Sequence, residues 1–367
     1  MSAATDTLPR LASGVILAIA IGYILHIGRP IVVPLLLGIF VAYIFITITD
    51  WLRNAPLLGR LLPGWLAHVG AIGLIVAVIW GLVLMVTSNI AQVEQQMPVY
   101  RENLQALIDR FSGLLALEDV PTLPEVFQRA VAAIDLSKAV GSTVSVVAVM
   151  LGNILVIGIY TAFVLMERRA LMDKLELLAD TPAGAQRIAA ALGEISERIG
   201  RYLTLKAFVS AVVGLASWAI MRLVGIDYAE FWAVLIFILN FIPYVGSFIA
   251  VLLPVALSLV QFGTLGPFLV ALIGLVGVQV VVGNVLEPKL MGRSLNLSPI
   301  VILLSLAAWS ALWGVVGAFL CVPITVIMMI IFAEFEVTRP LAILLSQDGR
   351  IHPGEEAVSE SPQESAQ

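Results

Sequence analysis

The sequence has few charged residues for its length. Of its 367 residues only 12% are charged, whereas 60% are hydrophobic and the mean hydropathy is +1.04. A soluble domain carries about 25% charged and about 45–50% apolar residues. A water-soluble fold of this size would leave too much apolar surface exposed, because a large share of any globular protein lies at its surface. The composition therefore argues against a soluble enzyme and predicts a polytopic membrane protein.

Residues that form disulfides or bind metals are also scarce. Cys321 is the single cysteine, and the three histidines, His26, His68 and His352, are far apart. A disulfide framework and a thiolate metal cluster are excluded, and the histidines show no metal-ligand spacing. We therefore expect neither a metal nor a cofactor. The net charge of -5 argues against nucleic-acid binding, which requires a basic patch.

Long apolar runs recur along the chain. They cover 11–28, 30–49, 65–88, 142–166 and 207–224, and longer apolar blocks follow at 229–260, 266–283 and 299–333. A helix needs roughly 20 apolar residues to cross a bilayer. Backbone polar groups in lipid must pair within the segment, so the sequence predicts an all-α polytopic membrane protein with about eight membrane segments. The first run follows Arg10 without a small-residue cleavage site, which predicts a retained span.

The charged residues divide the chain into regions. We expect membrane spans in 1–88, an extramembrane helical region in 89–141, a span in 142–166, an amphipathic helical region in 167–206, a C-terminal core in 207–340 and a disordered acidic tail in 346–367. Tyr100, Leu104 and Leu107 recur at steps of four and three, which predicts an amphipathic helix. The helix in 167–206 would lie in the membrane interface, bind a partner subunit or dock on its own bundle.

Lysine and arginine residues near the span ends predict the orientation. If each of the first four runs crosses the membrane once, one side receives Arg10, Arg53, Arg60, Arg168 and Arg169. The positive-inside rule makes that side cytoplasmic and puts 89–141 outside. Re-entrant hairpins at 229–260 and 299–333 would also bring Lys289 inside, so we favour hairpins over full crossings by broken spans. Both termini are then cytoplasmic.

Polar groups at membrane depth are functional candidates, because each costs several kcal/mol to bury. Glu287 follows an uncharged apolar run and precedes Pro288, which removes a donor and breaks the helix. A carboxylate beside freed carbonyls could coordinate a cation or exchange a proton. The alternative is an interfacial contact with Lys289 and no role in transport. Arg222, Asp227 and Glu230 lie near a span end and are interpreted as interface anchors.

Two broken segments in the last third of the chain have a similar pattern. In one, Asn240 and Pro243 precede Gly246, and Pro254 follows after an apolar stretch; in the other, Trp309 precedes Gly314 and Gly317, and Pro323 follows. Paired, interrupted apolar segments are a sequence pointer to a transporter site. Glycine permits a tight turn, and proline leaves carbonyl groups as acceptors at depth. The alternative is a chance match, since membrane helices are generally rich in both residues.

Together with the segments Asn284–Lys289 and Leu297–Pro299, these motifs resemble the AI-2E family transporters, bacterial inner-membrane proteins named for autoinducer-2 export. The resemblance covers nearly the whole chain and includes Arg29, Pro30 and Pro34 in the early spans. The family pattern leads us to expect glycine after Trp309, and Ser310 and Ala311 depart from that pattern. The resemblance implies a transporter, often a homo-oligomer, that moves a small polar solute or a monovalent cation or proton across the lipid bilayer.

The resemblance and the motifs together predict alternating access around the broken helices of the 207–340 transport core. The predicted transport or ion-coupling residues are Asn240, Pro243, Gly246, Pro254, Asn284, Glu287, Pro288, Gly314, Gly317 and Pro323. Three functions remain open: export of a small polar metabolite such as autoinducer-2, Na⁺(Li⁺)/H⁺ antiport, and a non-transporting scaffold or receptor. An enzyme is not expected, because no catalytic constellation is evident at depth.

Overall fold

The computed structural model of the protein describes residues 7–54, 64–114, 136–177, 181–291 and 295–349. The helices are α1 (Thr7–Ile27), α2 (Arg29–Asn54), α3 (Gly64–Leu114), α4 (Leu136–Leu177), α5 (Pro182–Val224), α6 (Ala229–Leu239), α7 (Val245–Phe262), α8 (Leu265–Val281), the π-helix Val282–Leu286, α9 (Glu287–Met291), α10 (Pro299–Glu334) and α11 (Arg339–Leu345). Within the described residues, β-structure is limited to an isolated bridge between Leu297 and Ser346. Seven stretches there are long and apolar enough to cross a membrane, which confirms the all-α polytopic prediction.

Three helices are much longer than a bilayer requires. Helix α3 has 51 residues, α4 has 42 and α5 has 43. At about 1.5 Å per residue all three exceed the roughly 30 Å hydrocarbon core. The expected region boundaries at 88/89, 166/167 and 206/207 fall inside these helices, because neither glycine nor proline interrupts the backbone there. Helix α3 contains the predicted amphipathic segment, with Tyr100 and Leu107 buried.

Some predictions fall on residues outside the described ranges. Residues 115–135 of the expected extramembrane region lie outside them, and so does most of the acidic tail, beyond residue 349. The regional division of the chain therefore stays a prediction, although its helical content within the described residues is confirmed.

The described residues divide into two compact units. The first unit comprises those within 1–42, 159–203 and 293–367, and the second comprises those within 43–158 and 204–292. Helices α2, α4 and α5 contribute residues to both units.

In the first unit the chain turns back at Gly314, inside α10. Gly314 has φ 63° and ψ -139°, a conformation that favours glycine. The two arms of α10 lie close together, because a Cβ atom on Gly317 would collide with the carbonyl group of Trp309. Trp309 Nε1 also donates to Thr325 Oγ1 at 3.3 Å. The broken segment predicted at 299–333 is therefore present as a hairpin, and its re-entry into the membrane stays a prediction.

Helices α1 and α2 pack against this hairpin within the first unit. Trp313 Nε1, next to the turn, donates to the Leu25 carbonyl oxygen at 3.0 Å. The rings of Phe40 and Phe319 meet edge to face, with centroids 5.2 Å apart. These contacts anchor the tip of the hairpin to the N-terminal helices.

In the second unit α6 and α7 form a hairpin against α5. The chain reverses between Asn240 and Val245, and a Cβ atom on Gly246 would collide with the Leu239 carbonyl group. The open ends of the hairpin also meet, because the Asp227 backbone N–H donates to Gln261 Oε1 at 2.9 Å. The broken segment predicted at 229–260 is thus a hairpin with an 11-residue first arm, which is too short to span a bilayer alone.

The core of the second unit lies between α5, the hairpin and α8. It is built on buried aliphatic side chains that include Val209, Val213, Met221, Ile236 and Leu275. Helices α5 and α8 approach closely where Gly274 faces Ile220, since a Cβ atom on that glycine would lie 2.9 Å from Ile220 Cγ2. This packing determines which residues of α5 face α6 and α9.

Candidate functional site

A buried ion pair joins α5 to the start of α9. Lys206 Nζ lies 2.6 Å from Glu287 Oε1, and the two side chains are 8% and 28% exposed. An unpaired charge in such a position would be strongly unfavourable, so each residue neutralises the other. The partner of Glu287 is therefore Lys206, whereas Lys289, the partner in the alternative interpretation, is exposed.

The backbone before Glu287 departs from the α-helix. Residues Val282–Leu286 form a π-helix, and the Glu287 N–H donates to the Val282 carbonyl oxygen five residues earlier. Pro288 has no N–H to continue the usual ladder, which explains why the break occurs here. A π turn holds an extra residue and changes the direction of the following side chains, and such turns are frequent at functional sites. Glu287 is thereby directed towards α5.

A second buried polar contact lies one turn along α5 from the ion pair. Asn240 Nδ2 donates to Ser210 Oγ at 3.0 Å, and both side chains are buried. Lys206 and Ser210 are four residues apart and share one face of α5. Helix α5 therefore brings Asn240 and Glu287, two of the predicted site residues, to adjacent positions.

The other predicted residues have different places. Asn284 is exposed, and its Nδ2 donates to the Val280 carbonyl oxygen of its own helix at 3.1 Å. In the second unit Pro243 and Gly246 shape the turn of the α6–α7 hairpin, and Pro254 is buried within α7. The remaining three belong to the first unit, where they shape the α10 hairpin: Gly314, Gly317 and Pro323.

Lys206 and Ser210 were not among the residues predicted for the site. Their partners lie 81 and 30 residues away along the chain, so sequence spacing alone does not pair them. One signal was present in the sequence, since Lys206 ends a charged region and Ser210 follows it by one helical turn inside an apolar run. Among the described residues no group of three or more His, Cys, Asp or Glu side chains could hold a metal ion.

The site offers several hydrogen-bonding groups, and the charges of its ammonium and carboxylate groups cancel. An ammonium group, a carboxylate, an amide and a hydroxyl lie along one face of α5, beside the backbone breaks at 240–244 and 282–288. Satisfied polar groups beside interrupted helices are typical of solute sites in membrane transporters. Fold and site therefore define a multi-pass membrane protein of the transporter class.

Comparison with known proteins agrees with this class and makes it more specific. The family model described as "AI-2E family transporter" matches residues 15–336, so the chain belongs to the AI-2E transporter family. It is a multi-pass bacterial membrane protein of a transporter family.

Three relatives match along most of their length. The "AI-2 transport protein TqsA" of Escherichia coli is 27% identical, and the match covers 88% of this chain and 91% of the relative. The "Putative transport protein" of Haemophilus influenzae is 29% identical over 87% of this chain and 91% of its own. The "Putative transport protein YhhT" of Escherichia coli is 29% identical, and the match covers 92% of this chain and 93% of the relative.

Proposed function

We propose that the protein exports a small polar metabolite such as autoinducer-2 by alternating access around the broken helices. The observation that carries the proposal is the row of paired polar groups on α5, where Lys206 binds Glu287 and Ser210 binds Asn240. When a polar solute binds, its hydrogen bonds can replace these internal ones at little net cost in free energy. The name of the TqsA relative supports this substrate.

We infer that the Lys206–Glu287 pair lies towards the cytoplasm. Basic residues are frequent in the part of α5 that precedes the pair, where Arg187, Arg198 and Arg201 occur, and Lys289 follows it on α9. The positive-inside rule favours the cytoplasm for this end of the helix. Both termini are then cytoplasmic, residues 89–141 are periplasmic, and the protein resides in the inner membrane. Because relatives in this family often assemble as homo-oligomers, the proposal also includes a homo-oligomer.

The ion pair makes cation antiport the less favoured function. With Lys206 Nζ 2.6 Å from the carboxylate of Glu287, an ammonium group already occupies the position that Na⁺ or a proton would take. Coupling would therefore require Lys206 to leave at each cycle. The scaffold alternative has less support, because it gives no role to buried polar groups beside broken helices.

Reconstitution into liposomes tests the proposal. Wild-type protein is expected to move autoinducer-2 across the membrane, and the variant Lys206→Met/Glu287→Gln, which removes both charges together, should lower that flux at least tenfold. Lys289→Met removes an exposed lysine two residues from Glu287 and should leave the flux unchanged. Na⁺-driven proton movement without autoinducer-2 flux would instead establish the antiporter. Absence of both activities would favour the scaffold.

A further inference from the structure

A polar cavity lies at the other end of α5 from the ion pair. It has a volume of about 420 Å³. The polar side chains that line it come from α3, α5, the α5–α6 turn and the first turn of α6: Ser88, Asn89, Gln92, Arg222, Asp227, Tyr228 and Glu230. Lys206 and Arg222 are separated along α5 by roughly 24 Å at 1.5 Å per residue. The cavity and the ion pair therefore lie near opposite ends of the membrane-spanning part of this helix.

Hydrogen bonds between three segments hold the Asp227 side of the cavity in place. The Tyr100 hydroxyl donates to Asp227 Oδ2 at 2.7 Å, and Asn103 Nδ2 donates to the Gln261 carbonyl oxygen at 2.7 Å. The Gln261 side chain then donates to the Gly225 carbonyl oxygen at 2.8 Å. Burial, strengthened by donation to Asp227, raises the pKa of Tyr100 well above its usual range, so this hydroxyl remains a donor at physiological pH. The carboxylate of Asp227 is thereby oriented before any ligand arrives.

The charges around the cavity disfavour an anionic ligand. Arg222 Nε lies 3.7 Å from Glu230 Oε1, so the positive charge of the arginine is compensated. Asp227 then leaves the lining with one net negative charge, which disfavours anions. The remaining polar side chains of the lining are the amides of Asn89 and Gln92 and the hydroxyls of Ser88 and Tyr228. Both kinds of group donate and accept hydrogen bonds and therefore match a solute that carries several hydroxyl groups.

The size of the cavity is also appropriate. Ligand sites range from about 300 to 1,000 Å³, and this cavity lies near the lower end of that range. Tyr228, in the lining, has φ 60°, a left-handed conformation that non-glycine residues rarely adopt. Such backbone strain is found where a surrounding structure fixes it, often at ligand sites. A small metabolite would fit.

We propose that this cavity is a second binding site, specific for a small uncharged solute bearing several hydroxyl groups. Asn89 and Gln92 supply hydrogen bonds from α3, and Asp227 accepts from a solute hydroxyl. The identity of the solute rests on the proposed export function, in which this cavity is the outer site that the solute occupies after it passes the Lys206–Glu287 pair. The site itself requires no transport in order to be measured.

Equilibrium binding to the full chain in lipid nanodiscs tests the site. The probes are autoinducer-2 in borate-free buffer and Na⁺. Asn89→Ala/Gln92→Ala is expected to weaken autoinducer-2 binding at least tenfold. The matched control Gln95→Ala/Gln96→Ala changes two exposed glutamines of the same helix that do not line the cavity, and it should bind as the wild type does.

The possible outcomes separate the site from the export function. Binding that depends on Asn89 and Gln92, without flux in liposomes, would establish the site and contradict export. Flux with binding that is insensitive to these two residues would contradict the site alone. Displacement of autoinducer-2 by Na⁺ would show a cation site and overturn the assignment to an uncharged solute. Absence of both binding and flux would overturn both proposals.

Discussion

Lys206 Nζ and Glu287 Oε1 lie 2.6 Å apart although the two residues are separated by 81 positions in the sequence. The pair connects α5 to the segment where the helical backbone passes through a π turn. Because each charge compensates the other, replacing one residue also changes the state of its partner. The role of Glu287 in transport therefore has to be measured together with that of Lys206.

A double-mutant cycle on this pair separates stability from transport. Glu287→Gln alone leaves the buried ammonium of Lys206 without a counter-charge and should lower the free energy of unfolding. A loss of about 2–3 kcal/mol is expected, below the 3–5 kcal/mol of a fully buried pair because Glu287 is partly exposed. Lys206→Met/Glu287→Gln should recover most of this loss and still fail to transport. Thermal unfolding in detergent and flux in liposomes are the measurements; additive losses of stability would show that the pair is not coupled.

Gly246 is predicted to be essential for the α6–α7 hairpin. A Cβ atom at this position would lie 2.8 Å from the Leu239 carbonyl carbon and closer still to its oxygen, so Gly246→Ala must push the arms apart. We expect a lower unfolding temperature and loss of flux. Gly277→Ala is the matched control, because no heavy atom lies within 4 Å of its Cβ position. The control should be neutral or stabilising by up to about 1 kcal/mol, and an equal effect of the two variants would contradict the tight turn.

Tyr100 should make stability depend on alkaline pH. Its pKa is raised in the folded protein by burial, by donation to Asp227 and by Tyr228, whereas an unfolded tyrosine ionises near about pH 10. The raised pKa contributes stability below pH 10 that is lost as pH rises further. Tyr100→Phe is expected to be less stable at pH 8, because Asp227 loses its donor, and to lose less stability between pH 9 and 11. Parallel pH profiles of the unfolding temperature would contradict this.

Cysteine labelling tests the proposed orientation. Cys321 is buried, and Cys321→Ala provides a cysteine-free background in which single cysteines report on one side of the membrane. Lys289→Cys is expected to react only with a reagent that reaches the cytoplasmic face. Gln96→Cys, on the extension of α3, should react with an impermeant reagent from the periplasm. External labelling at position 289 would contradict the re-entrant hairpins.

Hydropathy predicted the fold well, because length and apolarity alone determine which helices can span a bilayer. It located the long apolar helices and, with the glycine and proline pattern, both broken segments, including the turns that Gly246 and Gly314 permit. It also divided α3, α4 and α5 at changes of composition, where the structure has continuous helix. Backbone hydrogen bonding continues from an apolar to a polar environment when no proline or glycine interrupts it, so composition marks the environment of a helix rather than its end.

The site was only partly predictable. Glu287 was identified from polarity at depth, since such residues are rarely retained in lipid without a role, and Asn240 was identified from the broken segment in which it lies. Their partners on α5 depend on tertiary packing between segments far apart in the sequence, which no spacing rule encodes. Asn284 had the same polarity, yet its side chain bonds to its own helix. Residue type therefore identified candidates, and only the packing of α5 distinguished among them.

The π turn before Glu287 has a mechanical consequence. In an α-helix each residue advances the direction of the side chains by about 100°, so removing the extra residue of a π turn rotates everything after it by about that angle. The π turn of Val282–Leu286 therefore sets the angle at which the Glu287 carboxylate faces Lys206. A single residue of register in this short segment decides whether the two charges meet.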